Sequence, residues 1–339
     1  MNVWDGKHWN IYDILPYQRM FNMINSERTI GKTYTGQAYC IDRAINNGEE
    51  WVYVCRTETE RENYILGAAT EKVRAEKFES YDFNVNKDNI TLDGQIIARC
   101  IPLSKVDAYK KLNFPSVRNM IFDEYIIPPD STAQYIGGMR EPNLLLNLYH
   151  TIDRAHDRVR CFMFGNTIQF YNPYHLHKAF TVPKIDVGQI WTNKFILFQR
   201  PEMSDKLREE QNNSLFMQMI SDTEYGTYAN AGEYAYENEN FINNLPSNVV
   251  YFATLCYNDK LYGIWNDNIK GILYISSRCE KSYLIKLALS NNDLANNIML
   301  AKNSAHGKYL RRYLQQGRIY YDSAEIKAEL EKIIFKNFS

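Results

Sequence analysis

Two stretches of this chain, NMIFDEY (119–125) and VRCFMFGN (159–166), are apolar almost throughout and then stop on polar residues. A strand that is hydrophobic on both faces must be covered on both, which is the condition of a central strand in a parallel sheet. Helical periods alternate with such runs. FNMIN (21–25) reads as a strand, KTYTGQAYCIDRAI (32–45) as a helix ended by Asn47 and Gly48, and WVYVCR (51–56) as a second strand. ETERENYILGAATEKVRAEKF (58–78) reads as one surface helix with Tyr64, Ile65, Ala68, Ala69 and Val73 on its buried face. ITLDGQIIARCI (90–101) carries Asp93-Gly94 between alternating apolar residues, a hairpin signal. Strand, helix, strand, repeated over the first 200 residues, predicts an α/β domain with a mostly parallel sheet.

After about residue 200 the composition shifts. Residues 201–220 read as helix, and 224–241 as a linker or docking segment rich in Gly, Tyr, Asn and Glu. NVVYFATLCYN, KLYGIWND and GILYISSR then follow one another through short Asn/Gly-rich joints, which predicts a three-stranded antiparallel meander. Helices expected near 293–301, 305–316 and 323–337 complete a small α+β domain. The expected division is 1–200, 201–246 and 247–339, in keeping with a length of 339 residues.

Lys and Arg number 39 against 40 Asp and Glu, a formal net charge of -1, which excludes coating of nucleic acid through bulk charge. Any polyanion contact has to be a local patch. The opening residues lack the pattern of a signal peptide and no eighteen apolar residues run together, so a soluble, intracellular chain without a membrane partner is expected. The six cysteines, Cys40, Cys55, Cys100, Cys161, Cys256 and Cys279, form no C-x-x-C pair and read as reduced core thiols.

Between the first strand and the first helix lies NSERTIGKT (25–33). Its Gly31-Lys32-Thr33 closes a phosphate-binding loop of the form G-x-x-x-x-G-K-[ST], with Ser26 in the place of the first glycine. In that position backbone N–H groups and the helix N-terminus face one anion, Lys32 reaches the β- and γ-phosphates of ATP, and the Thr33 hydroxyl ligates Mg²⁺. The strand 119–125 ends in Asp123 and Glu124, an acid pair placed to hold the Mg²⁺ shell and to polarise the attacking water respectively. Buried strands seldom end in paired acids without a compensating cation, because desolvating both is costly. A third strand ends at Gly165-Asn166, whose amide suits a γ-phosphate or water contact. LLNLYHTIDRAHDRVRC (145–161) carries Arg154, Arg158 and Arg160 beyond the end of its own sheet, where an arginine can serve a neighbouring subunit, although by themselves these residues fit better as basic residues near the negative end of a helix dipole.

Together these residues resemble the genome-packaging ATPases of the φ29-type short-tailed phages, a terminase-like P-loop motor family. The likeness runs from about Ile14 to the C-terminus through YQRMFNMINSERTIGKT, IPLSKVDAYKKLNFPSVRNMIFDEY, NLLLNLYHTIDRAHDRVRC, NPYHL, DTEYG, YNDKLYGIWND and GILYIS. The resemblance implies an additional-strand (ASCE-type) P-loop domain followed by a degenerate ribonuclease-H-like domain. It implies a nucleotide loop of Ser26, Glu27, Arg28, Thr29, Ile30, Gly31, Lys32 and Thr33, with Arg28 on the phosphate side and Asp123 as the metal ligand. Glu124 takes the catalytic carboxylate's place and Asn166 that of the polar sensor. Arg154 corresponds to an arginine finger acting on the next subunit, and Lys110, with Lys111 beside it, to a second basic residue presented across that interface.

Family loops have glycine at Ser26 and Thr29, where a residue with a Cβ is expected to carry strain if its φ is positive. In the second half, VVYFATLCY bears no acid, Asp267 and Asp293 read as surface acids, and two-metal cleavage is not expected. AKNSAHGKYLRRYLQQGR (301–318) concentrates Lys302, Lys308, Arg311 and Arg312 between aromatics and is a nucleic-acid candidate, a solvated helix face being the alternative. His175 and His177 lack the acidic or thiol partners of a metal site. The resulting expectation is an ATP- and Mg²⁺-dependent motor. A homo-oligomeric ring, pentameric by the resemblance, drives double-stranded DNA into a prohead at the portal vertex, in the host cytoplasm, with a structural packaging RNA as a further candidate partner. The rivals are a monomeric P-loop phosphotransferase and a non-catalytic nucleic-acid-binding protein with a decayed loop.

Overall fold

A computed structural model describes residues 4–127, 133–136, 140–167, 170, 172–220, 245–316, 318–323, 326–327, 329–330 and 333–334. The stretch 224–241 and part of the helix expected at 323–337 fall outside them. Contacts divide the chain into two compact units, the first holding residues up to 127, 133–167 and from 182 through 220, the second holding 172–181 and everything described from 245 onward. Residues 205–220 thus group with the first unit, and the units interleave in sequence.

The elements up to residue 220 are, in order, β1 (Phe21–Ser26), α1 (Lys32–Asn47), β2 (Glu50–Cys55), α2 (Glu58–Glu62), α3 (Ile65–Lys77), β3 (Phe83–Val85), β4 (Asn89–Leu92), β5 (Gln95–Pro102), α4 (Val106–Tyr109), β6 (Val117–Phe122), α5 (Glu141–Asp153), β7 (Arg160–Asn166), α6 (Pro173–Leu176), β8 (Ile190–Thr192), β9 (Ile196–Gln199), α7 (Asp205–Asn212) and α8 (Leu215–Ile220). Apart from α6, which belongs to the second unit, they build a nine-stranded sheet of order β3-β4-β5-β2-β6-β7-β1-β9-β8. The six strands from β5 to β9 in that order run parallel, and antiparallel β4 and β8 flank them. All six parallel strands therefore end at one edge, on Pro102, Cys55, Phe122, Asn166, Ser26 and Gln199.

Burial follows the sequence pattern. Every residue of β1 is buried, and Ile121, Phe162 and Phe164 join Ile24, Ala38, Ile41 and Trp51 in one core. Gly36 lets α1 press onto β7, because a Cβ there would lie 2.6 Å from the Phe164 ring. Two expectations are corrected. The helix expected over 58–78 is two helices, because Tyr64 takes a left-handed conformation (φ 58°) as the N-cap of α3. That residue resets the helical phase, so the buried face is Leu66, Gly67, Thr70 and Val73, and Tyr64 is 52% exposed. The strand expected over 119–125 stops at Phe122, which leaves Asp123 and Glu124 in the turn beyond it.

The second unit carries β10 (Val250–Tyr257), β11 (Lys260–Asp267), β12 (Ile272–Ser276), β13 (Lys286–Ala288), β14 (Ile298–Leu300), α9 (Ala305–Gln315) and β15 (Ile319–Tyr321). The expected meander is β10 to β12, closed between its first two strands by Asn258 and Asp259, both left-handed as a two-residue hairpin turn requires. Parallel strands widen it to the order β14-β13-β10-β11-β12-β15. The helix expected at 293–301 is instead an edge strand framed by two 3₁₀ turns, since Ile298–Leu300 pairs with β13. No helix of the described residues is long and apolar enough to cross a membrane.

Substitution Gly36→Ala should lower stability by about 1–3 kcal/mol through overpacking against Phe164, read as a fall in the thermal unfolding midpoint.

Candidate active site

The loop between β1 and α1 crosses the carboxyl edge of the sheet. Ser26 is the last residue of β1, and Thr29 alone among the non-glycine loop residues has positive φ, 68°. Strain is therefore present at Thr29 and absent at Ser26, which corrects half of the expectation. Ser26 instead supplies an oxygen: its Oγ accepts from Lys32 Nζ at 2.7 Å and donates to the Glu27 carbonyl at 2.8 Å. Gly31 caps α1 at φ 83°, and a Cβ there would lie 2.6 Å from the His8 ring. Position 31 thus needs glycine for both conformation and space.

Lys32 is buried. Its ammonium also donates to the Glu27 carbonyl at 3.1 Å and to Asn166 Oδ1 at 3.4 Å. Burial pushes its pKa down to about 8, against the pull of Asp123, Glu124 and Glu27. One position on, Thr33 Oγ1 donates to Asp123 Oδ2 at 2.8 Å. Burial raises the Asp123 pKa and the Thr33 hydrogen bond opposes it. Asp123 Oδ1 accepts the backbone N–H of Glu124 at 2.9 Å, and Glu124 itself is left-handed (φ 51°) with its side chain exposed.

That strained turn has an anchor the sequence reading missed. Arg56, just past the end of β2, is buried and donates from Nη1 to the Glu124 carbonyl at 2.8 Å and from Nη2 to the Tyr125 carbonyl at 2.9 Å. Its Nε meets Glu141 at 3.1 Å, and its guanidinium lies 5.0 Å from the centre of the Phe122 ring. The signal was present: WVYVCR ends an apolar run on an arginine, a residue rarely buried unless paired.

Arg28, Thr29, Gly31, Lys32, Thr33, Asp123, Glu124 and Asn166 line one cavity of about 420 Å³, together with His8, Tyr34, Lys72 and Phe164. Glu27 lies behind it, buried, with its carboxylate 3.7 Å from Arg208; Ile30 is buried. The oxygens of Thr33 and Asp123 suit Mg²⁺, which takes one or two protein oxygens and completes its shell from phosphate and water.

Arg154 and Lys110 do not line this cavity. Arg154 caps the end of α5, before β7 begins, so the length of β7 separates it from Asn166 by about 20 Å. Its Nη2 donates to the Leu112 carbonyl at 2.8 Å, which draws it to the segment following Lys110 and Lys111; Lys110 pairs with Asp107. Arg158 is structural, donating to the carbonyls of Phe114, Pro115, Val117 and Ile152.

In the second unit Asp267 and Asp293 are not the free surface acids expected. Asp267 is fully buried and its Oδ1 accepts the N–H groups of Ile269 and Lys270; Asp293 accepts from Asn258 N and Ser290 Oγ. Both serve turns, a use of Asp that depends on backbone three-dimensionality. His175 is buried with Nδ1 2.7 Å from the Phe170 carbonyl oxygen, and its pKa is pushed down to about 3 by burial. On α9, Leu310 and Leu314 face the core while Lys308 and Arg312 are exposed one turn apart; Lys302 is exposed and Arg311 half-buried.

Arg56→Met should cost about 3–5 kcal/mol by stranding Glu141 and should also release the Glu124 turn. The double variant Arg56→Met with Glu141→Leu is expected to recover most of the stability, by thermal unfolding, without restoring the turn.

The model of the family described as podovirus DNA encapsidation protein (Gp16) matches residues 5–338. A DNA packaging protein of Bacillus phage B103 is 29% identical over 316 residues, covering 91% of this chain and 95% of that protein. The bacteriophage φ29 viral genome packaging motor assembly contains a chain 27% identical to this one, with a TM-score of 0.56 and coverage of 98% here and 99% there. The N-terminal domain of the DNA packaging ATPase from bacteriophage φ29 is 30% identical, with a TM-score of 0.50, over 58% of this chain and 97% of that domain. With nearly its whole length matched, this chain belongs to the podovirus DNA encapsidation (Gp16) family.

Proposed function

We propose that this protein is the ATP-driven motor of a φ29-type phage, moving double-stranded DNA into the prohead as a homo-oligomeric ring whose sites are completed by neighbouring subunits. One observation carries the reading: the hydrogen bond from Thr33 to Asp123 beside the buried Lys32, in a cavity that also holds Glu124 and Asn166.

The residues divide the chemistry. Lys32 neutralises the β- and γ-phosphates, and its desolvated ammonium interacts more strongly with them than an exposed lysine would. Arg28 and the loop amides flank the phosphate chain. Thr33 and Asp123 hold Mg²⁺, which when bound shields phosphate charge as it develops in the transition state. Glu124 aligns the attacking water and takes its proton, on a backbone held by Arg56. Asn166, within reach of Lys32, senses the γ-phosphate. Arg154 and Lys110 point to a use in trans, because each is presented away from its own cavity and both lie about the segment 110–112. An arginine supplied by the neighbour makes hydrolysis depend on subunit contact, which lets firing pass round a ring.

DNA is gripped through phosphate contacts, since a motor must not stall at particular sequences. Lys302, Lys308, Arg311 and Arg312 are the candidates for this contact or for a structural RNA. The second unit is read as a vestigial nuclease: β10 carries no acid, and among the described residues no group of three or more His, Cys, Asp or Glu is poised for a metal. Action at the portal vertex in the host cytoplasm completes the reading.

Specific ATPase activity should rise with protein concentration and with added duplex DNA and proheads. Glu124→Gln should lower turnover by roughly 10²–10⁴-fold, and Arg154→Ala by roughly 10³-fold or more. Mixed into wild-type protein, either variant should poison activity out of proportion to its share; simple dilution would sink the shared-site reading. The pH dependence follows from Lys32. Its charge is half lost at about pH 8 in the free protein and is favoured by bound phosphate, so nucleotide binding takes up a proton as the pH rises through and above that value. The Kd for Mg-ATP should be flat below about pH 7, roughly double by pH 8 and rise by up to about tenfold per pH unit above that, a slope that Lys32→Met abolishes in calorimetric titrations.

A further inference from the structure

The loop that faces an anion carries an acid of its own. Glu27 follows Ser26, and its backbone serves the site: its carbonyl accepts from Lys32 Nζ at 3.1 Å and from Ser26 Oγ at 2.8 Å. Its carboxylate is placed quite differently. The side chain is buried, it accepts no hydrogen bond among the described residues, and its ion pair there is with Arg208 of α7, which lies 3.7 Å away and is 40% exposed. A buried carboxylate ordinarily collects donors, because desolvating its charge is costly. Asp153 does so in this chain, accepting the N–H groups of Asp157, Arg158 and Val159. Glu27 has one loose partner instead. Burial pushes its pKa up, Arg208 and then Lys32 oppose the rise, and Glu202 adds to it.

The other two acids near Lys32 have work in the cavity: Asp123 meets Thr33, and Glu124 lines the wall. Glu27 does not line that cavity, yet its charge is felt at Lys32, whose pKa it helps to hold up. A carboxylate that attracts the Lys32 ammonium must repel an anion brought to the same ammonium, and such an interaction stays strong where water is excluded. Arg208 tempers the repulsion. The helix that supplies it is held beside the loop, Ser204 Oγ donating to the Lys7 carbonyl at 2.9 Å and Lys7 pairing with Glu210.

We propose that Glu27 sets the affinity of the phosphate site downward: its buried, thinly compensated carboxylate opposes polyphosphate charge at Lys32 and speeds release of the diphosphate left after hydrolysis, with Arg208 fixing the size of the effect. The inference rests on the reading of Lys32 as the phosphate-binding residue. It gives the fold a reason to keep a carboxylate that makes no hydrogen bond.

The test uses the full chain, with Mg-ATP, Mg-ADP and Mg-tripolyphosphate as ligands in isothermal titration and ADP release followed by stopped flow. Glu27→Gln, which removes the charge and keeps the shape, should bind all three more tightly by about threefold or more, ATP gaining more than ADP because it carries more charge, and should release ADP more slowly by a similar factor. Arg208→Gln should move all three affinities the opposite way. A merely structural role for Glu27 in the loop predicts weaker binding by Glu27→Gln instead. Binding by Glu27→Gln no tighter than wild type, or by Arg208→Gln no weaker, overturns the inference and leaves the phosphate reading standing, provided that Lys32→Met still binds tripolyphosphate more weakly than wild type. Tripolyphosphate that fails to bind wild type, or that binds Lys32→Met equally well, overturns both.

Discussion

The hydrogen bond between the Thr33 hydroxyl and the Asp123 carboxylate joins the first turn of α1 to the end of β6, and the cavity takes its form from that joint. The two residues are distant in sequence and meet because β1 and β6 are parallel strands separated by β7 alone. Parallel strands bring every loop that follows them to the same edge, so a lysine, two acids and an amide converge without any long-range search by flexible side chains. Lys32 then gains what a buried ammonium requires, oxygen partners from Ser26, Glu27 and Asn166.

Support behind the site is as specific as the site. Glu124 has a left-handed backbone, which a non-glycine residue keeps only when its surroundings hold it there. Arg56 does so by binding the carbonyls of Glu124 and Tyr125 while Glu141 compensates its charge. Tyr125 in turn reaches back across the sheet, its hydroxyl donating to Asn25 Oδ1 at 2.6 Å, which ties the acid turn to the end of β1. Such stiffness suits the general-base role proposed for Glu124, because small displacements of a general base cost large factors in rate.

The far end of β7 carries a second basic group. Arg154 in a left-handed helix cap, fastened to the Leu112 carbonyl, sits at the opposite end of β7 from Asn166. That separation keeps it away from its own cavity. Beside the loop, α7 is tied to the segment before residue 10, its cap Ser204 donating from Oγ to the Lys7 carbonyl at 2.9 Å.

The sequence by itself determined the parallel sheet, the loop before α1, the acid pair after β6 and the basic residues of α9. Each is local: an unbroken apolar run, a glycine before a lysine at a strand–helix junction, charges at helical spacing. What lay beyond it were matters of backbone phase and pairing across the chain. Tyr64 breaks a helix that looks continuous because one left-handed residue shifts the phase of everything after it. Ile298–Leu300 is a strand because β13 offers it an edge. Asp267 is a buried turn cap because its neighbours' N–H groups turn back onto it. Only the tertiary structure decided that Ser26 is a partner for Lys32 and that Arg56 holds the turn after β6, since each depends on which polar atoms are left facing one another once water is excluded.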